Sequence, residues 1–392
     1  MPAFLKVKPE RIPTIIWASA LFGVWLPTYL PQATVGVQAE VVAHFSPFTI
    51  GLMFALYGIA LVLARIPIGL LGSLVNQKKL MMIGLSTTCL GLLIVPLAPH
   101  AISLFVSRIF LGIGTGFWVI YTVFYVQHAA STKGEAMAKI SLAYGLGITL
   151  ASLMGGIIVN YWGWLAPFWF GAGMSSFSFL LLYFLPNTDT NSQTSFSGKK
   201  VLTLLLNKQL LIVSFIAMVA FFVAFSTIWG LSQNYAYNTF KMSPLWLGVL
   251  AFAAVAAYTV SMRSSHWVRE KLGTKRALSL GLGVLGVATF LVPSAQNMMT
   301  LYFLHACMGT GLGIIYPILM SLSIEQETTS YSQTEAMGIF QSVYAVGIAT
   351  GPFLSGQLAE TFGIKSVFLI NGVVVIISLV FTQLLFKQNG NL

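Results

Sequence analysis

Arg108 is the one Lys or Arg between Lys79 and Lys133, and its neighbours Leu104, Phe105, Val106, Ile109, Phe110 and Leu111 are all apolar. At the centre of a bilayer such a charge costs about 2.5 to 3.5 kcal/mol unless it faces a partner or a wet cavity. A guanidinium presents a planar fork of donors that suits carboxylates and phosphates. It would attract an anionic group or polarise a proton-carrying neighbour; hydrogen bonding to helix-end carbonyls is the structural alternative. His305 lies in a second uncharged stretch, Ala277 to Ile324. An imidazole titrates near neutrality in water, which suits proton coupling, and a structural hydrogen bond is again the alternative.

Uncharged donors with aromatic neighbours complete the set. Trp25, Thr28, Tyr29, Gln32 and Thr34 in the first apolar run match Ser226, Thr227, Trp229, Ser232, Gln233 and Asn234 in the seventh. Such walls suit a small organic solute, whereas interfacial anchoring by Trp and Tyr and interhelical hydrogen bonds are the structural reading. The nine acids are Glu10, Glu40, Glu135, Asp189, Glu270, Glu325, Glu327, Glu335 and Glu360. All but Glu40 and Glu360 fall in or beside segments expected in the cytoplasm, which disfavours a cationic substrate. Glu40 reads as a surface carboxylate. Five scattered histidines supply neither a metal site nor an enzyme's clustered acid and base, so no metal, cofactor or catalytic residue is expected.

Elements that could position these groups must cross a membrane. Of 392 residues, 57% are hydrophobic and 7% charged, against roughly 25% charged in soluble domains. Each span needs roughly 20 apolar residues with its backbone paired internally, and continuous apolar runs make those spans helices. Twelve are expected, near 13–40, 48–68, 80–98, 101–126, 138–161, 164–185, 210–233, 245–267, 277–294, 299–324, 338–360 and 366–386. With both termini in the cytoplasm, only Lys241 and Lys365 of the 20 Lys and Arg fall outside, apart from the intramembrane Arg108. The net charge of +11 then reports topology rather than nucleic-acid binding. Cys89 and Cys307 lie within apolar runs and read as free thiols. The first apolar run exceeds a signal peptide's core and is read as a span.

The chain repeats itself. At an offset of 197, Ser46, Pro47, Gly51, Lys78, Gly84, Pro96, Gly112, Gly114 and Gly116 recur as Ser243, Pro244, Gly248, Lys275, Gly281, Pro293, Gly309, Gly311 and Gly313. At 200, Glu135, Tyr144, Gly147, Gly156, Gly163 and Phe168 recur as Glu335, Tyr344, Gly347, Gly356, Gly363 and Phe368. Six spans per half give parallel repeats related by an axis along the membrane normal. The expected organisation is a six-helix bundle over 1–190, a cytoplasmic linker over 191–208 and a second bundle over 209–392.

The pattern resembles the major facilitator superfamily along the whole chain. After the second run Gly69, Leu71, Lys78 and Lys79 match the family's basic loop motif, while Ser73 stands for its Asp and Leu74 for its Arg. The second copy keeps an acid, bases and the glycine in Glu270, Gly273, Lys275 and Arg276, and the resemblance implies that Glu270 braces the inner face. Arg108, Gly112 and Gly114 fit the family's Arg-x-x-x-Gly-x-Gly pattern. In the fifth run Gly147, Gly155 and Gly156 fit an antiporter motif whose proline is Ser152 here; Gly351 and Pro352 keep the Gly-Pro element in the repeat copy. The spacings Gly112 to Gly116 and Gly347 to Gly351 are close-packing devices.

These readings imply an all-α integral membrane protein of 12 transmembrane helices in two pseudo-symmetric bundles, acting as a monomeric secondary transporter of the cell membrane. Its partners are the lipid bilayer, a small uncharged or anionic organic solute and protons for coupling. A proton-coupled drug or metabolite efflux antiporter is the alternative.

Overall fold

The computed structural model describes residues 11–130, 133–185, 207–325 and 330–388. Its helices are α1 (Ile12–Tyr29), α2 (Pro47–Leu74), α3 (Gln77–Leu97), α4 (Ala101–His128), α5 (Lys133–Trp162) and α6 (Ala166–Tyr183), then α7 (Lys208–Phe240), α8 (Pro244–Leu272), α9 (Thr274–Leu291), α10 (Met298–Leu322), α11 (Ser330–Phe362) and α12 (Ile364–Gln388). A short helix, Val35–Val41, joins α1 to α2. Eleven of the twelve are long and apolar enough to cross a membrane. The remaining one, α6, has 18 residues at the place expected for the sixth span, its hydropathy diluted by Gly171, Gly173, Ser175, Ser176 and Ser178. Large apolar side chains such as Leu63, Leu90, Phe177, Val260, Phe303 and Phe381 are exposed along these helices, as lipid contact requires.

The described residues fall into two compact units, 11–39 with 59–185, and 40–58 with 207–388. Residues 40–58 group with the second because glycines let α2 meet α11 backbone to backbone. A Cβ on Gly51 would lie 2.7 Å from the Cα of Gly356, and one on Gly58 would lie 2.6 Å from that of Ala349. Most of the expected linker, 191–208, lies outside the described residues.

Each unit repeats the same pairings. In the first, α3 packs on α4 and α6, and α1 on α5; in the second, α9 packs on α10 and α12, and α7 on α11. Gly114 brings α4 onto α3 at Gly84 and Thr88, and Gly311 brings α10 onto α9 at Gly281 and Leu285. Gly163 and Gly363 adopt φ of 84° and 81°, so the turns after α5 and α11 use the same left-handed glycine.

Helix ends are satisfied locally. Asn76 accepts from the amides of Lys78 and Lys79 to start α3, Asn207 does so for Gln209 and Leu210 on α7, and Asn297 for Thr300 on α10. Lys78, expected in a basic loop, instead turns inward and donates to the carbonyls of Tyr183 at 2.9 Å and Leu185, the C-terminal end of α6. Lys79 and Gly69 are exposed. In the second unit Arg269 joins α8 to the end of α10 through Glu325 (2.5 and 2.9 Å) and Ser321 (3.0 Å). Glu270 is exposed beside His266, one turn away at 3.1 Å, so the interhelical contact here is made by its neighbour Arg269. Gly273 ends α8 with φ of 76°, and Lys275 and Arg276 follow on the first turn of α9.

Candidate functional site

Both units open with a broken helix, and the breaks follow from sequence. In α1, Pro27 has no N–H to give Gly23, so that carbonyl accepts from Ser175 of α6 at 2.8 Å. The turn before it, Ala20–Trp25, widens to a π-helix. In α7 the widened turn is Thr227–Leu231, with Gly230 at φ −115° and ψ −109°. The Thr227 hydroxyl donates to Val223, whose carbonyl also takes the Thr227 backbone N–H, and the Gln233 amide donates to Ile228 at 3.1 Å, so side-chain donors reinforce the carbonyls around the break. Trp25 ends one widened turn and Trp229 lies within the other.

In the first unit these features converge. Gly147 of α5 lets α1 approach so closely that a Cβ there would lie 2.7 Å from that of Trp25. The Trp25 indole lies edge-on to Tyr144 of α5 (4.5 Å between centroids) and Trp118 of α4 (5.1 Å), and 6.1 Å from Tyr29. Trp118 begins the second half of α4 after a kink at Phe117, where Gly116 packs on Ala64 and Ile68 of α2. Trp25 is 6% exposed and Thr28 2%, and neither the indole N–H nor the Thr28 hydroxyl has a hydrogen-bond partner among the described residues. Trp118, Tyr144 and Gln32 are half-buried.

Arg108 is 3% exposed and donates through Nη1 to Gln32 Oε1 at 2.7 Å. The structure therefore joins Arg108 of α4 to Gln32 in the turn after α1, and the backbone N–H of Gln32 donates to the Tyr29 carbonyl at 3.0 Å. Gly112, one turn along α4 from Arg108, is buried, and its carbonyl accepts from Thr115.

His305 is fully buried in α10 of the second unit; Nδ1 pairs with the carbonyl of Leu301 at 2.9 Å, and Nε2 has no partner among the described residues. Trp229 packs on Phe225 (4.9 Å) and edge-on to Tyr258 (6.1 Å). Gln233 is spent on the α7 break through its amide nitrogen. Gly351 packs α11 on α7, where a Cβ would overlap the carbonyl of Phe222, and the carbonyl of Pro352 lies against Gly51 of α2.

Sequence reasoning passed over Trp118 and used Tyr144 only as a marker of the repeat, although both flank glycine motifs. It also took Glu40 for a surface carboxylate. Glu40 is half-buried, and its two oxygens accept from Asn234 (2.6 Å) and Asn238 (2.7 Å), one turn apart on α7. Asn234 and Tyr235 of α7 are each 1% exposed. Cys89 and Cys307 are free thiols, and no group of three metal-ligating side chains occurs among the described residues.

Known proteins agree with this architecture. An uncharacterized MFS-type transporter of Methanocaldococcus jannaschii is 23% identical over 89% of this chain and 93% of its own. The inner membrane transport protein YajR of Escherichia coli is 25% identical over 82% and 71%. Among solved structures, a mutant form of the nucleoside transporter NupG superposes with a TM-score of 0.80 at 16% identity over 96% of this chain and 100% of that one. A bacterial homologue of the human lysosomal transporter Spinster gives 0.80 at 13% identity over 97% and 98%. At these identities the likeness concerns the fold. The family model for the Major Facilitator Superfamily matches residues 14–326 and 267–390, and with the twelve helices and duplicated pairings this places the chain in that superfamily of multi-pass membrane transporters.

Proposed function

We propose that this protein is a secondary active transporter that moves a small uncharged or anionic organic solute across the cell membrane by alternating access, as a monomer with both termini in the cytoplasm. The buried guanidinium of Arg108, held on the neutral amide of Gln32, carries this reading. No Asp or Glu occurs between Glu40 and Glu135, so α2, α3 and α4 bring no negative charge to that neighbourhood. A cation entering there would meet a field of its own sign in a medium that screens poorly, whereas an anion would be drawn in. His305, at the repeat position of Arg108, is the proposed proton carrier. An imidazole can gain and lose a proton near neutrality, whereas the guanidinium of Arg108 keeps its charge.

The test is accumulation of labelled anionic, neutral and cationic solutes by reconstituted vesicles, with and without an imposed pH gradient. Removing a hydrogen bond to a charged group costs about 1.5 to 3 kcal/mol, so Arg108→Ala is expected to weaken apparent affinity for an anionic solute about ten- to hundredfold. Uptake restricted to cations would overturn the proposal. Expulsion of cationic drugs driven by the pH gradient would establish the antiporter alternative.

A further inference from the structure

One face of α6 is not used by the site around Trp25 and Arg108. Trp169, Phe170, Gly173, Met174 and Phe177 recur at three- and four-residue spacing along a regular helix and so form a single stripe about 12 Å long. With Phe22 of α1 they line an open groove of about 610 Å³. Phe22 belongs to the widened turn of α1, and its neighbour Gly23 accepts from Ser175 of α6 at 2.8 Å, so this wall of the groove stands on a hydrogen-bonded junction. Gly173 forms the floor, where a Cβ would meet nothing within 4 Å.

The duplication supplies an internal control. At the offset of 200, Trp169, Phe170, Gly173 and Phe177 correspond to Leu369, Ile370, Val373 and Ile377 of α12. All of these positions are exposed in both copies, as lipid contact requires. Ordinary acyl chains are satisfied by the aliphatic surface of α12. A glycine floor between aromatic walls instead matches a flat, rigid guest, which has little conformational freedom to lose on settling. At the head of the groove the ring of Phe170 lies 5.8 Å from that of Trp162, itself 6.0 Å from Tyr161, both exposed at the end of α5. Such residues sit at the lipid–water boundary and present hydrogen-bonding groups there. No Asp, Glu, Lys or Arg occurs from Ile140 to Thr188, so α6 and the turn before it offer no cation to a phospholipid head group. We infer that the groove binds a neutral polycyclic lipid, its fused rings against Gly173 and its small polar end toward Tyr161 and Trp162. The inference does not rest on the transporter reading.

The probe is a photoreactive diazirine analogue of cholesterol, incorporated with the full-length protein in phosphatidylcholine nanodiscs, and labelled positions are mapped by mass spectrometry. Labelling of Phe22, Met174 and Phe177 is expected to exceed that of Leu369, Ile370 and Ile377 by about fivefold or more. Gly173→Val gives α6 the residue of the repeat; it is expected to cut labelling by about the same factor while the melting temperature stays near the parent's, because the floor is open. Phe177→Ile, a second exchange for the repeat's residue at an exposed position, is expected to act in the same direction and serves if the first variant fails to fold. Competition by excess unlabelled cholesterol or by the hopanoid diplopterol supports the inference and identifies the source as sterol or hopanoid; competition by neither overturns it. Equal labelling of α6 and the matching face of α12 reports ordinary surrounding lipid and overturns the inference, as does labelling that neither variant alters. Cross-links joining two copies of the chain through α6 would assign the groove to a second copy and overturn it as well.

Discussion

Individual side chains here are held by very close neighbours, and the glycines that permit this give the sharpest tests. A Cβ at Gly155 of α5 would overlap the carbonyl oxygen of Leu30 in the turn after α1, a backbone atom that cannot rotate away. Gly155→Ala is expected to lower stability by about 1 to 3 kcal/mol, read as a reduced melting temperature of purified protein. Gly173→Ala on α6 meets nothing within 4 Å and gains helix propensity, so it should melt at or slightly above the parent. Equal behaviour of the two would contradict the α1–α5 packing. Arg108 could be picked out from sequence because a lone charge in an apolar run is conspicuous. The bond it makes to Gln32, 76 positions away, could not, since hydropathy carries no information about which helices meet. Glu40 was misjudged for the same reason: its partners lie 194 and 198 positions along the chain.

Among the elements, the broken α7 and the α8–α10 junction make separable predictions. Gly230→Ala would drive a Cβ into the carbonyl of Phe225, so the widened turn must shift. Insertion should survive, because the flanking helical segments remain apolar, while solute uptake by vesicles should fall at least tenfold, by analogy with a strain of about 1 to 3 kcal/mol. At the junction, the hydrogen bond from Arg269 holds the Glu325 carboxyl below its ordinary 4.5, with burial opposing and Ser321 assisting. A depressed carboxyl stabilises the fold above its unfolded value and loses that contribution as pH falls through the native one. The melting difference between parent and Glu325→Gln should therefore be constant from neutrality down to about pH 5, then shrink and vanish on further acidification. A difference that grew in acid would refute the assignment. Twelve spans and their order were legible because each is a long apolar run, and the widened turns were not, because π-helical turns depend on which neighbour supplies the missing donor. Pro27 hinted at one break; only the approach of Ser175 shows how Gly23 is satisfied.

For the whole molecule, the duplication was legible as two fixed offsets, and the repeated helix pairings bear it out within each unit. The grouping of residues 40–58 was not, since it depends on Gly51 and Gly58 finding Gly356 and Ala349. It predicts that halves expressed separately and divided within 191–206 will copurify, because the first carries a segment that packs in the second unit. Recovery of the halves as independent species in mild detergent would count against that grouping. The two copies have also diverged in which helix ends they fasten, the start of α3 to the end of α6 in the first and α8 to the end of α10 in the second. Lys78, 8% exposed, grips backbone carbonyls, whereas Arg269 and Glu325 form a partly exposed ion pair. Mobile ions reach the second arrangement far more readily than the first. Raising ionic strength should thus loosen one half of a duplicated molecule and spare the other, making salt a means of addressing a single repeat without mutation.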